Sequence, residues 1–239
     1  MKKTKGIPGH GAFTAERLAR ALLLVCAVVA IFAVCAITFY LFAKGLPALH
    51  RVGVGELLFG TIWKPTAAEP SFGIAYIILS SIVGTALSVL VGVPVGLLTA
   101  VFLTEVSSKR LSAIVQPAVE LLAAIPSVIY GLLGMMLLNP VLYKLEKIIF
   151  AGSTTHQYTG GADLLAAVIV LAIMILPTVI SVSASAIRAV PGQLRAASLA
   201  LGASKMQTIW GVTVPAAKSG ILTGVVLGIG RALGEAMAI

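Results

Sequence analysis

Charge is what this sequence has least of: only 10% of its 239 residues are Asp, Glu, Lys or Arg, and acids are the scarcer sign, 8 against 17 bases. A soluble domain carries about a quarter charged residues, so this composition cannot clothe a water-facing surface. With 59% apolar residues, the chain is built for a bilayer as its solvent. Cysteine is nearly absent as well. Cys26 and Cys35 lie inside one apolar run, which excludes a disulfide framework. His10, His50 and His156 stand in separate segments without metal spacing or acidic neighbours, and read as solvated loop residues. There is no Gly-Lys dipeptide, so a phosphate-cradling loop ending in Gly-Lys-Ser/Thr is excluded. Gly-x-Ser-x-Gly and His-Glu-x-x-His are also missing. No catalytic residue, metal site, cofactor or nucleic-acid partner is therefore expected.

What is present is a series of charge-free intervals, and about 20 apolar residues suffice to cross the hydrocarbon. Five intervals qualify: Ala21 to Ala43, a stretch within Pro70 to Thr104, a stretch between Arg110 and Lys144 that holds one acid, Glu120, Leu164 to Ile187, and the segment after Lys218, which holds Arg231 and Glu235. The first follows Lys2, Lys3 and Lys5 like a signal peptide, but it is too long and has no small-residue cleavage site, so it reads as a span. Placing the N-terminus in the cytoplasm puts eleven bases inside and five outside, the bias that retained positive charge produces. The predicted organisation is 1–72 as N-tail, first span and external loop, and 73–239 as a core with a cytoplasmic loop at about 188–218.

Glycine and proline recur inside the spans, as at Gly92, Pro94, Gly96, Pro126, Pro177 and Gly228. Small residues allow close helix approach in lipid, and prolines break or kink helices. The segment from Arg188 to Lys218 reads as two short amphipathic helices: Pro191 starts the first, Gly202 makes the turn and Pro215 ends the second. Leu199, Met206, Ile209, Trp210 and Val214 fall at helical spacing along it. Such a pair can pack on the membrane core, lie at the interface or dock into a partner.

Arg231 is the sharpest residue, because a guanidinium near the bilayer centre costs at least about 3 kcal/mol unless it is partnered. Glu235 is four residues on, a spacing that puts both on one helix face about 6 Å apart along the axis. Two readings stand: a buried ion pair fixing helix packing, or an anion site in which the planar fork of Arg231 holds two oxygens of an oxyanion. In the second, Glu235 accepts the proton that phosphate keeps near neutral pH and repels proton-free sulfate. Glu120 is expected about halfway through the third span, either as a helix contact or as part of the path. Ser127 and Tyr130, after Pro126, offer hydroxyls to a substrate or to backbone groups freed by that proline.

The stretch AASLALGASKMQTIWGVTVPAAKSGI, Ala196 to Ile221, resembles the cytoplasmic coupling loop of ABC importer permeases, with its turn at Leu201, Gly202 and Ala203 and its downstream Pro215. The loop's usual glutamate is Ala196 here, preceded by Arg195. PVGLLTAVFLTE from Pro94, ELLAAIPSVIYGLLG from Glu120 and GIGRALGEAMAI from Gly228 resemble the phosphate-specific, PstC-type branch. The resemblance implies an all-α, polytopic helical bundle of the MetI-like permease type in a bacterial inner membrane. It implies six spans, of which five are present and the last is missing at the C-terminus. It further implies a PstA-like second permease subunit, two cytoplasmic ATPase subunits, an external phosphate-binding protein and contact with membrane lipid, with Arg231 and Glu235 in the phosphate path. Alternatives are a permease for sulfate or molybdate, or a membrane enzyme acting on lipid phosphates.

Overall fold

The computed structural model describes residues 10–235 apart from 154, 155 and 162; Lys2, Lys3 and Lys5, used in the orientation count, and residues 236–239 lie outside the described residues. The chain divides into two units after Tyr76.

The first unit is dominated by α1, His10–Val52, a 43-residue helix. Apolar residues run right round it: Leu22, Phe32, Val34 and Phe39 are all exposed. A helix without a polar stripe suits lipid on every side. Past it come α2, Val54–Phe59, and a small antiparallel hairpin of β1, Trp63–Lys64, and β2, Ser71–Phe72. Trp63 stands opposite Phe72, with the rings edge-on and 6.0 Å apart.

In the second unit, α3, Ala75–Val101, runs on through a π turn, Phe102–Val106. After α4, Lys109–Ala124, a span is assembled from α5, Ser127–Leu133, a π turn, Gly134–Leu138, and α6, Asn139–Ile149. Next is α7, Leu164–Ala189, followed by α8, Gly192–Ala200, and α9, Lys205–Thr208. A π turn, Ile209–Thr213, leads into α10, Val214–Ala216, and α11, Lys218–Leu233.

The hub is α7, on which Leu171, Met174, Ile175, Val179 and Ile187 are fully buried. Lipid is as apolar as leucine, so contact with α7 must come from close fit and not from hiding hydrocarbon. Small residues provide that fit. A Cβ added at Gly92 of α3 would lie 2.8 Å from Ile175 Cδ1, and one at Gly96 2.8 Å from Val179 Cγ1. Ser88 Oγ, 3.1 Å from Val168 O, ties α3 to α7 by a hydrogen bond within the apolar core. These contacts ascend together in sequence, so α3 and α7 run in the same direction. On α11 the stripe Gly220, Gly224 and Gly228 meets Ala186, Val182 and Val179 in descending order, so α11 runs antiparallel.

Among the described residues four helices are long and apolar enough to cross a membrane: Glu16–Val52, Ala75–Val106, Ser127–Ile149 and Leu164–Ala189. The fifth expected span begins at Lys218, but its helix has 16 residues, about 24 Å, and joins the preceding helical run Lys205–Ala216 at 69°. The third span differs from expectation. Arg110 to Lys144 is not one membrane crossing, because Pro126 has no N–H to donate and Ile125 is extended before it (φ −69°, ψ 127°). The segment preceding the break, α4, is amphipathic, and the span proper starts at Ser127. Pro215 is likewise no terminator, since it sits in the first turn of α10, where its missing N–H is tolerated, and the bend falls at Ala217.

Candidate functional site

Arg231 lies in the last turn of α11 and is half-buried. Its depth follows from the glycine stripe. Gly228 abuts Val179 and Ile175, and three further residues carry the chain about 4.5 Å toward the start of α7, which spans 164–189. Arg231 is therefore level with the middle of α7. The expected pairing with Glu235 does not form. α11 closes at Leu233, with the N–H groups of Gly234 and Glu235 turning back on Gly230 and Ala232, so Glu235 is not one turn on along the same face. Among the described residues the only carboxylates within ion-pair distance of a basic side chain are Glu146, beside His156, and Glu105, beside Arg195. The guanidinium thus has no carboxylate in ion-pair range among the described residues, and Glu235 is half-buried.

The residues around Pro126 separate into two roles. The Tyr130 hydroxyl donates to Leu122 O at 2.8 Å and is buried, so it satisfies a carbonyl that the helix break released. Ser127 opens α5 and is half-buried. Glu120 is not within a span at all: it is exposed on α4, where Gln116 Nε2 donates to its Oε1 at 3.3 Å. Gln116 also accepts from Arg188, so the three side chains form a relay from α7 to α4. Together with Thr104, Lys109 and Ser112 they line a cavity of about 490 Å³ at the end of the bundle where α3 and α7 finish.

At that same end the segment from Pro191 to Ala217 presents two faces. Inward, Ile209 and Ala217 are buried in a cluster with Ala100, Val101, Ile187 and Ile221, and Val214 packs against it. Outward, Leu199, Met206 and Trp210 are exposed, and Leu201 is 90% exposed. Gly202 makes the turn at φ +85°, a region that favours glycine, and leaves Leu201 at the apex. Ala196 is exposed, Ala203 half-buried and Pro215 exposed. Ser204 caps α9 through a reciprocal box with Gln207, a Ser-x-x-Gln signature legible in sequence and not singled out there.

Two arrangements were missed in the sequence. Arg195 on α8 places one terminal nitrogen 2.8 Å from Glu105 Oε1, in the π turn ending α3, and donates to Ile187 O at 2.7 Å. At the opposite end, His156 is no solvated residue: its Nε2 is 2.8 Å from Glu146 Oε1 and its ring stacks on Phe150 at 3.9 Å. Thr159 N–H adds a third partner to Glu146 at 3.1 Å. Both arrangements join residues distant in sequence, where helical spacing gives no signal.

Several helices long and apolar enough to cross a membrane, with a half-buried arginine level with the middle of α7 and a bent two-faced segment at one end, define a polytopic membrane permease. Residues 92–239 match the family described as the binding-protein-dependent transport system inner membrane component, and the chain belongs to that family. It is 42% identical over 222 residues to the probable ABC transporter permease protein YqgH of Bacillus subtilis, covering 92% of this chain and 69% of that protein. To the phosphate transport system permease protein PstC of Xylella fastidiosa it is 36% identical over 204 residues, covering 82% of this chain and 62% of the relative. PstC 2 of Mycobacterium tuberculosis is 32% identical over 218 residues, with 87% and 67% covered. A chain of the MetNI methionine ABC transporter superposes over 68% of each chain with a TM-score of 0.47 and 21% identity, too distant to add to the assignment.

Proposed function

We propose that this chain is the membrane-spanning permease subunit of an ATP-driven importer that carries inorganic phosphate into the cytoplasm. The observation that carries the reading is Arg231: a guanidinium level with the middle of α7, half-buried, with no carboxylate in ion-pair range among the described residues. A permanent charge there needs an anion, and its planar fork matches two oxygens of a tetrahedral oxyanion. Glu235 follows it and accepts a hydrogen bond from the proton that phosphate retains near neutral pH, a bond that sulfate cannot offer. The similarity to PstC proteins supports the same substrate.

The N-terminus is cytoplasmic, by the excess of bases on that side, so the Pro191 to Ala217 segment faces the cytoplasm. Its outward apolar face around Leu201 docks on an ATPase subunit, one of two. A PstA-like permease completes the bundle, and a phosphate-binding protein delivers solute from outside. Nucleotide-driven movement of the docked segment then switches the path past Arg231 from outward to inward access.

The test is ATP-dependent uptake of labelled phosphate by vesicles holding the complete complex. Arg231→Ala is expected to abolish uptake while the complex still assembles, and excess sulfate should not compete. Unchanged uptake in Arg231→Ala would make the arginine a packing residue, and strong sulfate competition would move the assignment to another oxyanion.

A further inference from the structure

Docking at Leu201 has mechanical consequence only if the docked segment is fastened to the spans. Its apolar inner face gives one attachment, to α3 and α7 through Ala100, Val101 and Ile187. Apolar contact resists separation but not sliding, because it has no direction. Among the described residues a directional side-chain link exists at one place. Arg195, from α8, reaches Ile187 O in the last turns of α7 and Glu105 at the end of α3, 2.7 and 2.8 Å away. One side chain thus ties the segment to two parallel spans, and those spans end where Glu105 is 11% exposed. Loss of Arg195 would leave the nearly buried Glu105 carboxylate unpaired, whereas loss of Glu105 leaves a half-buried guanidinium that keeps its bond to Ile187 O.

The geometry of this link is incomplete. Glu105 Oε1 lies close to the guanidinium yet accepts no aligned hydrogen bond, and the buried Arg195 Nε donates none. A planar fork and a carboxylate can form two parallel bonds when aligned. A small shift of α8 against α3 therefore changes the energy of the pair steeply, while the inner apolar face stays in contact.

We infer that Arg195 and Glu105 are positioning residues that convert movement of the docked segment into movement of α3, their fork aligning in one access state and loosening in the other. The inference rests on the ATP-driven permease reading. It differs from docking itself: the pair acts behind the docking face, where α8 meets the spans.

The experiment uses the complete complex in vesicles and reads solute moved per ATP hydrolysed. Arg195→Ala and Glu105→Gln are each expected to lower that ratio about tenfold, within the usual range of inter-site coupling, with ATP hydrolysis retained. The charge-swapped double variant, Glu105→Arg with Arg195→Glu, should recover a large part of the ratio. A ratio that stays constant in the single variants overturns the inference, as does a swap that recovers nothing. If instead the unaltered complex hydrolyses ATP and moves sulfate but not phosphate, the substrate reading fails, while the ratios for sulfate still decide the role of the pair.

Discussion

Each end of the α7 bundle nearly buries a carboxylate beside a nitrogen-bearing side chain, His156 at one and Arg195 at the other, and the two are fastened in opposite ways. Glu146 collects His156 Nε2 at 2.8 Å, Thr159 N–H at 3.1 Å and the Thr159 hydroxyl at 3.5 Å, all from residues 10 to 13 positions away. Glu105 has one close nitrogen from Arg195, a residue 90 positions away, and no aligned hydrogen bond. The first carboxylate is held through Oε1 by the loop that follows α6, with its Oε2 left without a partner. The second depends on α3, α7 and α8 holding one mutual arrangement. A permease needs both kinds of end: one that keeps the helices together, and one that responds when they shift.

The largest expected effect falls on assembly at the responsive end. Leu201 is 90% exposed, so Leu201→Asp removes no internal contact and should leave the thermal midpoint of the purified chain unchanged. Placed at the apex of the proposed docking face, the charge should abolish co-purification with the ATPase subunit. Retained co-purification would place the docking surface elsewhere and remove the functional half of the contrast.

A smaller effect separates the two carboxylates directly. Glu146→Ala strands Thr159 N–H and the His156 ring, whereas Glu105→Ala strands one guanidinium that keeps its bond to Ile187 O. The thermal midpoint of the solubilised complex should fall further for Glu146→Ala, and transport per ATP further for Glu105→Ala. If both variants lose stability and coupling in equal proportion, the two ends are fastened alike.

The way these features were and were not legible follows from their physics. Charge-free runs announce spans because a charge in hydrocarbon is costly, and α1, α3 and α7 stand where those runs do. Gly202 announces its turn because few other residues accept that backbone. The third crossing misleads because the interval from Arg110 to Lys144 reads as one span, whereas Pro126 ends one helix and starts another, which puts Glu120 on an exposed face of α4 and not at mid-span. Arg231 and Glu235 are four apart only as numbers, since the helix that would have made them neighbours closes at Leu233. Neither carboxylate clamp has a local pattern, because each depends on a loop or a packing angle that periodicity does not encode.

The break before α5 offers a third, milder test, on the side chain that repairs it. Tyr130→Phe keeps the ring in its buried place and removes only the hydroxyl that donates to Leu122 O. One such bond is worth about 1 kcal/mol, so a small drop in the thermal midpoint is expected, with phosphate uptake unaffected. Loss of uptake with stability intact would instead bring Tyr130 into the path.

The smallest expected effect concerns the capping box that shapes the responsive end. Ser204 accepts from Gln207 N–H at 3.3 Å while the Gln207 side chain accepts from Ser204 N–H at 2.8 Å, closing two donors at the start of a four-residue helix. Ser204→Ala removes one of those bonds at a cost of about 1 kcal/mol, confined to a surface turn. The global midpoint should barely move, because the turn opens locally before the bundle does. Amide exchange should quicken over Lys205 to Thr208 and remain unchanged over the Glu146 loop. Quickening at both places would show that the two ends communicate even at rest, and the fixed end would no longer be independent of the responsive one.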